Sequence, residues 1–328
     1  MKLSILDLVY ISEGQTIKDA FDNTVKVAQK AEALHYNRIW VAEHHNMSSI
    51  ASAATSLCIS YIANATKRIR VGAGGIMLPN HSPLVIAEQF GTLATLYPGR
   101  IDLGLGRAPG TDQQTARALR TDMTTANRFP DDVLELQGYL AEGSENAPIK
   151  ATPGSGLEVP LWILGSSTFG AHLAALYGLP YAFASHFAPD SLFDAIKIYR
   201  QKFTPSKQLQ APHVMVGVNV ILADTEEEAQ FLSTSQKQSF AHLRRGVNNQ
   251  HLPKPIDNIN GYWSPDEQAM AQHMLKYSFI GTPKSIKKQL EEFIEQTQPD
   301  ELMVVTTLHD VDKRVRSFEL LADMFGKV

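Results

Sequence analysis

"IRVGAGGIMLPNHSPLVIAEQFGTLATLYPGRIDLGLGR", residues 69–107, holds one complete copy of the unit that builds this chain. Two near-continuous apolar runs, 69–78 and 101–107, flank a segment whose apolar residues recur three and four apart and which opens on Ser82-Pro83. Apolar runs without strict alternation suit parallel strands covered on both faces, and Pro after Ser suits the first turn of a helix. Strand, helix, parallel strand is the crossover unit of an α/β protein.

The same alternation extends in both directions. Strand-like runs precede it at "LSILDLVYI" (3–11) and "RIWVAEH" (38–44). Others follow at "PLWILGS" (160–166), "YAFASHF" (181–187), "HVMVGVNVILA" (213–223) and "ELMVVTTLH" (301–309). Helical spacing returns in "TIKDAFDNTVKVAQKAEAL" and "TPKSIKKQLEEFIEQT". Eight β-then-α units in 328 residues predict an α/β fold, a closed (β/α)8 TIM barrel, with residues 1–328 as a single domain. Two connections exceed the minimum: residues 108–130 after the fourth strand and 239–280 between the seventh and eighth. The second carries "RRGVNNQHLPKPIDNINGYWSP", polar and rich in Pro and Asn, and is expected to be an extended excursion, either a lid or binding loop or passive surface.

Composition narrows the function. At 44% hydrophobic the chain can bury a large core. A net charge of −4, a pI near 6.3 and the lack of a basic block argue against a nucleic-acid surface. Cys58 is the only cysteine, which excludes an intramolecular disulfide and a Cys-based zinc cluster; in "AATSLCISYIANA" it reads as a small buried apolar residue. The N-terminus turns polar too early for a signal peptide and no apolar run reaches a membrane span, so no membrane partner and a cytoplasmic location are expected.

In such a barrel the active site lies at the C-terminal mouth. Five of the 11 histidines fall there: His44 and His45 end the second strand, His81 follows the third, His186 ends the sixth and His309 ends the eighth. Arg107 ends the fourth strand and Ser166-Ser167 the fifth. Neighbouring strand residues point to opposite faces, so His44 and His45 cannot share one task.

Three chemistries could use this ring. For a metal, His and Glu43 are competent ligands, but the first strand offers no His-x-His pair and no strand supplies a bridging Lys, so no metal is expected. "GLGRAPG" (104–110) imitates a dinucleotide fingerprint, yet its spacing is G-x-G-x-x-x-G and Pro109 interrupts it. A flavin needs close backbone approach to a flat ring, which "VGAGG" (71–75) permits, although the same glycines could simply ease barrel packing. Its phosphate needs donors. Arg107 and Arg128 can supply charge, and Ser166-Ser167 precede a helix whose first amides are free for an anion. On the bland reading Arg128 is a surface charge.

"VAEHH", the 71–110 stretch and "LWILGSS…LAALYGLPYAFASHF" together resemble the bacterial luciferase-like flavin monooxygenases, closest to their non-luminescent, alkanal-monooxygenase-like branch. The likeness covers essentially the whole chain, strongest at 1–110 and 160–190. It implies a (β/α)8 barrel that binds FMN non-covalently, uses it as FMNH2 with O2 through a flavin C4a-hydroperoxide, and oxygenates a small organic, aldehyde-like substrate. Motif by motif, it puts His44 near the reactive edge of the flavin as base or hydrogen-bond donor. It puts a non-proline cis bond at Gly74-Gly75, phosphate-binding arginines at Arg107 and Arg128, and backbone phosphate contacts at Ser166 and Ser167. His45 would pack behind the strand or brace a neighbour. Two departures stand out: Gly106 replaces luciferase's reactive Cys after the fourth strand, and Gly165 replaces its acidic residue before the strand-five serine. Nothing reads as a reductase domain, so a separate flavin reductase is the expected partner, and relatives suggest a homodimer. Two alternatives stay open: a deazaflavin (F420)-dependent oxidoreductase, or a non-catalytic flavin-binding protein.

Overall fold

The computed structural model describes residues 1–108, 112–121, 125–247 and 249–326. Its strands are β1 (Lys2–Asp7), β2 (Arg38–Val41), β3 (Arg70–Met77), β4 (Ile101–Gly106), β5 (Leu161–Gly165), β6 (Tyr181–Phe183), β7 (Val214–Leu222), β8 (Ser278–Gly281) and β9 (Glu301–Val305). Every pairing among them is parallel. β1 pairs with both β2 and β9, and β7 with both β6 and β9, so eight strands close into a barrel in the order β1-β2-β3-β4-β5-β6-β7-β9. The eight runs read from the sequence are these eight.

β8 stands outside the ring, paired with Asn219–Leu222 at the far end of β7. It corrects the expectation of an extended excursion over 239–280. Helix Glu226–Arg244 runs into that stretch, helix Pro265–Met274 lies within it, and β8 ends it. The helix has a local cause: Ser264 and Glu267 form a capping box, with Pro265 at the first turn. β8 is four residues of alternating burial, too short a run to separate from a loop. The excursion is tied across the barrel mouth: Leu252 donates to the Ile11 carbonyl, and Glu13 donates to that of Leu252, each at 2.8 Å. After β4, a helix Gln113–Ala118 and a short 3-10 turn Thr125–Arg128 occupy the described part of the other excursion; residues 109–111 and 122–124 lie outside the described residues.

The helices cover the sheet through apolar stripes. Ile17–Ala33, opened by a Thr16/Asp19 capping box, buries Ala20, Val27, Ala28 and Ala31; Pro283–Thr297 buries Ile286, Leu290 and Phe293. Cys58 is buried in helix Thr55–Ala65, as its apolar surroundings predict. Outward strand residues such as Leu3, Ile5, Ile39, Val71 and Leu103 meet these stripes in the main core. The alternate residues turn into the barrel, where Leu6, Trp40, Trp162, Met215 and Met303 form a separate cluster.

Beneath that cluster the barrel is closed by charge. Arg38 reaches Asp102 at 2.7 Å and Glu301 at 2.8 Å, Arg70 adds a second cation on Asp102, and Ser4 donates to Glu301. Burial alone would raise the Glu301 carboxyl. The His213 ring 3.7 Å away, the Arg38 charge and the hydrogen bonds from Ser4 and Arg38 outweigh it and bring the group down to about 2. The Arg38 guanidinium lies 4.7 Å from the Trp162 ring centre, and Trp40 meets Trp162 edge-on at 5.2 Å. This ionic and aromatic plug is the floor on which the mouth is built. No helix among the described residues is long and apolar enough to cross a membrane.

Candidate active site

A cavity of about 750 Å³ fills the C-terminal mouth. Its base is Leu6, Trp40, Met215 and Met303, the upper surface of the plug. The alternation that turns Arg38 and Trp40 inward carries on past the end of β2, so Ala42 and His44 also line the cavity. Burial lowers the proton affinity of His44, with the Ala42 carbonyl and Glu43 offsetting part of the effect, so the imidazole is neutral at neutral pH. Its buried Nδ1 has no hydrogen-bond partner among the described residues.

Glu43 and His45 take the opposite phase. Glu43, 1% exposed, is a hub: Oε1 accepts from His45 Nε2 at 2.7 Å and from Asn80 at 3.1 Å, and Oε2 accepts from the Met77 amide at 2.9 Å. His81 Nε2 stands 2.9 Å from both oxygens. Burial by itself would raise this carboxyl, but the donors from His81, His45 and Asn80 overturn that and hold it below the ordinary range. The hub ties the end of β2 to the segment after β3 and thereby holds the backbone that carries His44. His45 thus braces a neighbour, as its phase on the strand suggests.

The other strand-end histidines divide the same way. His186 lines the cavity, its ring edge-on to Phe187 at 4.9 Å. Burial, and then the nearby His44, push its pKa down to about 4. Its Nδ1 sits against Gly217, where an added Cβ would lie 2.5 Å away, so glycine is required there for the ring to fit. His309 is elsewhere: its Nε2 donates to the Glu13 carbonyl at 2.9 Å.

Arg107, Ser166 and Ser167 all line one side of the cavity. Helix Thr168–Tyr177 begins directly after Ser167, whose side chain makes no capping bond, so the first amides of that helix keep their donors. Arg107 has no carboxylate partner among the described residues; its guanidinium lies 4.2 Å from the centre of the Phe169 ring. Arg128 is apart from this group. Its side chain is 70% exposed and lies 3.4 Å from Asp132, while its neighbours Ala126 and Phe129 line the cavity. Gly74 and Gly75 line it too, and the bond between them is cis. A Cβ on Gly75 would stand 2.7 Å from the Gly104 carbonyl oxygen, so this glycine also serves the close contact of β3 with β4.

Sequence reasoning missed several lining residues. Tyr10 and Thr307, hydroxyl to hydroxyl at 3.1 Å, and Asn219 come from strand phases that no motif marked. Asn219 had a signal, a lone amide in the apolar "VMVGVNVIL" of β7. Gln236, Ser239, Phe240 and Leu243 enter from helix Glu226–Arg244, whose sequence gives no sign of which face meets the mouth.

Comparison with known proteins agrees with this geometry. Residues 1–301 match the family model described as luciferase-like monooxygenase. A luciferase-like monooxygenase of Escherichia coli (strain K12) is 50% identical over 322 residues, 98% of this chain and 96% of that protein. The crystal structure of apo-MsnO8 superimposes with a TM-score of 0.92 at 33% identity, covering 100% of this chain and 99% of that one. Two solved structures share the fold alone. One is the oxygenating constituent of 3,6-diketocamphane monooxygenase of Pseudomonas putida, in complex with FMN (17% identity, TM-score 0.69, covering 98% and 96%). The other is an F420-dependent secondary alcohol dehydrogenase (16% identity, TM-score 0.68, covering 97% of each). Flavin and F420 thus both occur on this fold.

Proposed function

The chain belongs to the luciferase-like monooxygenase family, and from that premise we propose that it is an FMN-dependent monooxygenase taking FMNH2 and O2 to a small organic, aldehyde-like substrate. The observation that carries the reading is the division of the cavity: an anion corner of Arg107, Ser166, Ser167 and a helix start on one side, neutral His44 on another, and an apolar floor between them. This donor set fits a flavin phosphate. Arg107 lacks an anionic partner among the described residues, and the helix amides lack a side-chain cap. Arg107 and the amides after Ser166 would hold the phosphate, and the Gly74-Gly75 backbone would lie against the ring system. Arg128, exposed and beside Asp132, would add charge at most from the rim.

Reduced flavin would supply the activation of dioxygen; the chain's own residues do the rest. The plug of Trp40, Met215 and Met303 excludes water from below. Neutral His44 can accept a proton at one ring nitrogen or donate from the other, and the Glu43 hub fixes the strand end that aims it. FMNH2 would arrive from a separate reductase, in keeping with the "oxygenating constituent" named for the distant P. putida protein, and the family resemblance makes a homodimer the working unit of this reading.

Fluorescence titration with FMN, riboflavin and F420 tests the reading. FMN should bind more tightly than either. Arg107→Ala should weaken FMN about 10- to 150-fold while leaving riboflavin unchanged, the worth of a charge-assisted hydrogen bond. An equal loss for both flavins would make Arg107 structural, and preference for F420 would replace the FMN reading by a deazaflavin one. Peroxide release in the presence and absence of aldehydes then separates an oxygenase from a passive flavin binder.

A further inference from the structure

On the cavity wall, a chain of amides runs from His186 to an acceptor left without a donor among the described residues. Asn219, 2% exposed, donates from Nδ2 to the His186 carbonyl at 2.6 Å, and its Oδ1 accepts from Gln236 Nε2 at 2.8 Å. The order of these bonds is forced. A carbonyl can only accept, so Asn219 must give it the amide nitrogen and turn its oxygen to Gln236. Gln236 must then answer with its own nitrogen, which leaves Oε1 over. That oxygen is buried and has no hydrogen-bond partner among the described residues, although Gln236 is 3% exposed and lines the cavity. Leaving a buried acceptor unpaired is costly, so an occupant of the cavity whose N–H or O–H reaches this oxygen gains by pairing it. The helix that carries Gln236 also brings Ser239, Phe240 and Leu243 to the cavity, and β9 adds Met303 and Val305.

We infer that Gln236 is a specificity-determining residue, whose Oε1 accepts a hydrogen bond from an N–H or O–H group of the substrate. The substrate class is then a small molecule with an apolar body that carries, besides the group oxygenated, an amide N–H or a hydroxyl, rather than a plain aliphatic aldehyde. The inference rests on the reading of this cavity as the reaction site and narrows what that site takes. Asn219 is the positioning residue that fixes which end of the Gln236 amide is free.

A matched pair of ligands tests it: N-hexylacetamide, which has an amide N–H, and N-hexyl-N-methylacetamide, which does not. Their affinities for the FMN-loaded protein are measured by calorimetry. The N–H member should bind about tenfold more tightly, since a site with a buried acceptor penalises a ligand that leaves it unpaired. Gln236→Leu should bring the ratio close to one with FMN affinity unchanged, a readout that a purely structural role would not move. If that variant does not fold, Gln236→Met, closer in shape, gives the same readout. Equal binding of the two amides by the natural chain overturns the inference; a bound water satisfying Oε1 would have this effect. A ratio that survives in the variant also overturns it, because the discrimination would then be steric. A donor preference in protein that does not bind FMN would uphold the subsite and remove the flavin reading, while failure of both amides with FMN bound would remove the subsite alone.

Discussion

Replacing Glu43 by Gln changes one atom of a buried hub and should cost about 3 kcal/mol of stability. The figure follows from the donors around it. Oε1 accepts from His45 at 2.7 Å and Asn80 at 3.1 Å, Oε2 accepts from the Met77 amide at 2.9 Å, and His81 lies 2.9 Å from both. Gln has one oxygen and turns an NH2 group to the other side. In one orientation it confronts His45 and Asn80; in the other, the Met77 amide and His81. Two buried donors then face a donor, at roughly 1–3 kcal/mol each, and a change of histidine tautomer sets the lower end. A domain of ordinary stability survives such a loss. The sign with pH follows from the lowered carboxyl. The folded chain holds Glu43 ionised more strongly than the unfolded one does, so its contribution is full above the ordinary carboxyl pKa of 4.5 and is lost as pH falls through the folded value. Urea unfolding read by the fluorescence of Trp40 and Trp162, at pH 7 and in steps down to pH 4, compares the natural chain with the Glu43→Gln variant. The gap between them should be widest at neutral pH and narrow below about pH 4.5. A cost under about 1 kcal/mol at pH 7, or a gap indifferent to pH, would refute the hub.

His44→Ala should leave the barrel folded and lower oxygenation by about 10²–10⁴-fold, the usual worth of a positioned acid–base group, whereas His45→Ala should chiefly lower the melting temperature. Coupled turnover and thermal melts decide between them, and the reverse pattern would invert the facing of the two rings. His186 has a folded pKa of about 4, against 6.5 for a free imidazole. The unfolded chain therefore takes up a proton first, and stability falls as pH drops from 6.5 to 4. That amounts to roughly 2 kcal/mol by pH 5, a slope that His186→Gln should remove from urea-unfolding curves; an unchanged slope would count against the burial of this ring. Arg38→Ala strips the counter-charge from Glu301 and one cation from Asp102 beneath the floor and should cost about 3–5 kcal/mol in denaturant unfolding, with a loss below about 1 kcal/mol refuting the plug.

The strands and the facing of "VAEHH" were legible in the sequence because hydrophobic run length and two-residue alternation are local properties of the backbone. Residues 69–107 sufficed to suggest a parallel crossover, and the phase that turns Trp40 inward also turns His44 inward and His45 away. β8 was not legible, since four residues of alternating burial carry no pattern apart from their pairing with β7. Arg107 and Arg128 both read from the sequence as phosphate ligands, Arg128 with a surface charge as its alternative. Only tertiary structure sets one over Phe169 in the cavity wall and the other in solvent beside Asp132, because a long side chain's direction depends on what surrounds it. The Glu43 hub reaches Met77, Asn80 and His81, 34 to 38 positions away, and the Gln236–Asn219 bond spans 17. Such partnerships exist only once the ring of strands has closed and the excursion helix has docked over the mouth. Local periodicity determined which residues face inward; the closure of the barrel decided which polar groups meet there.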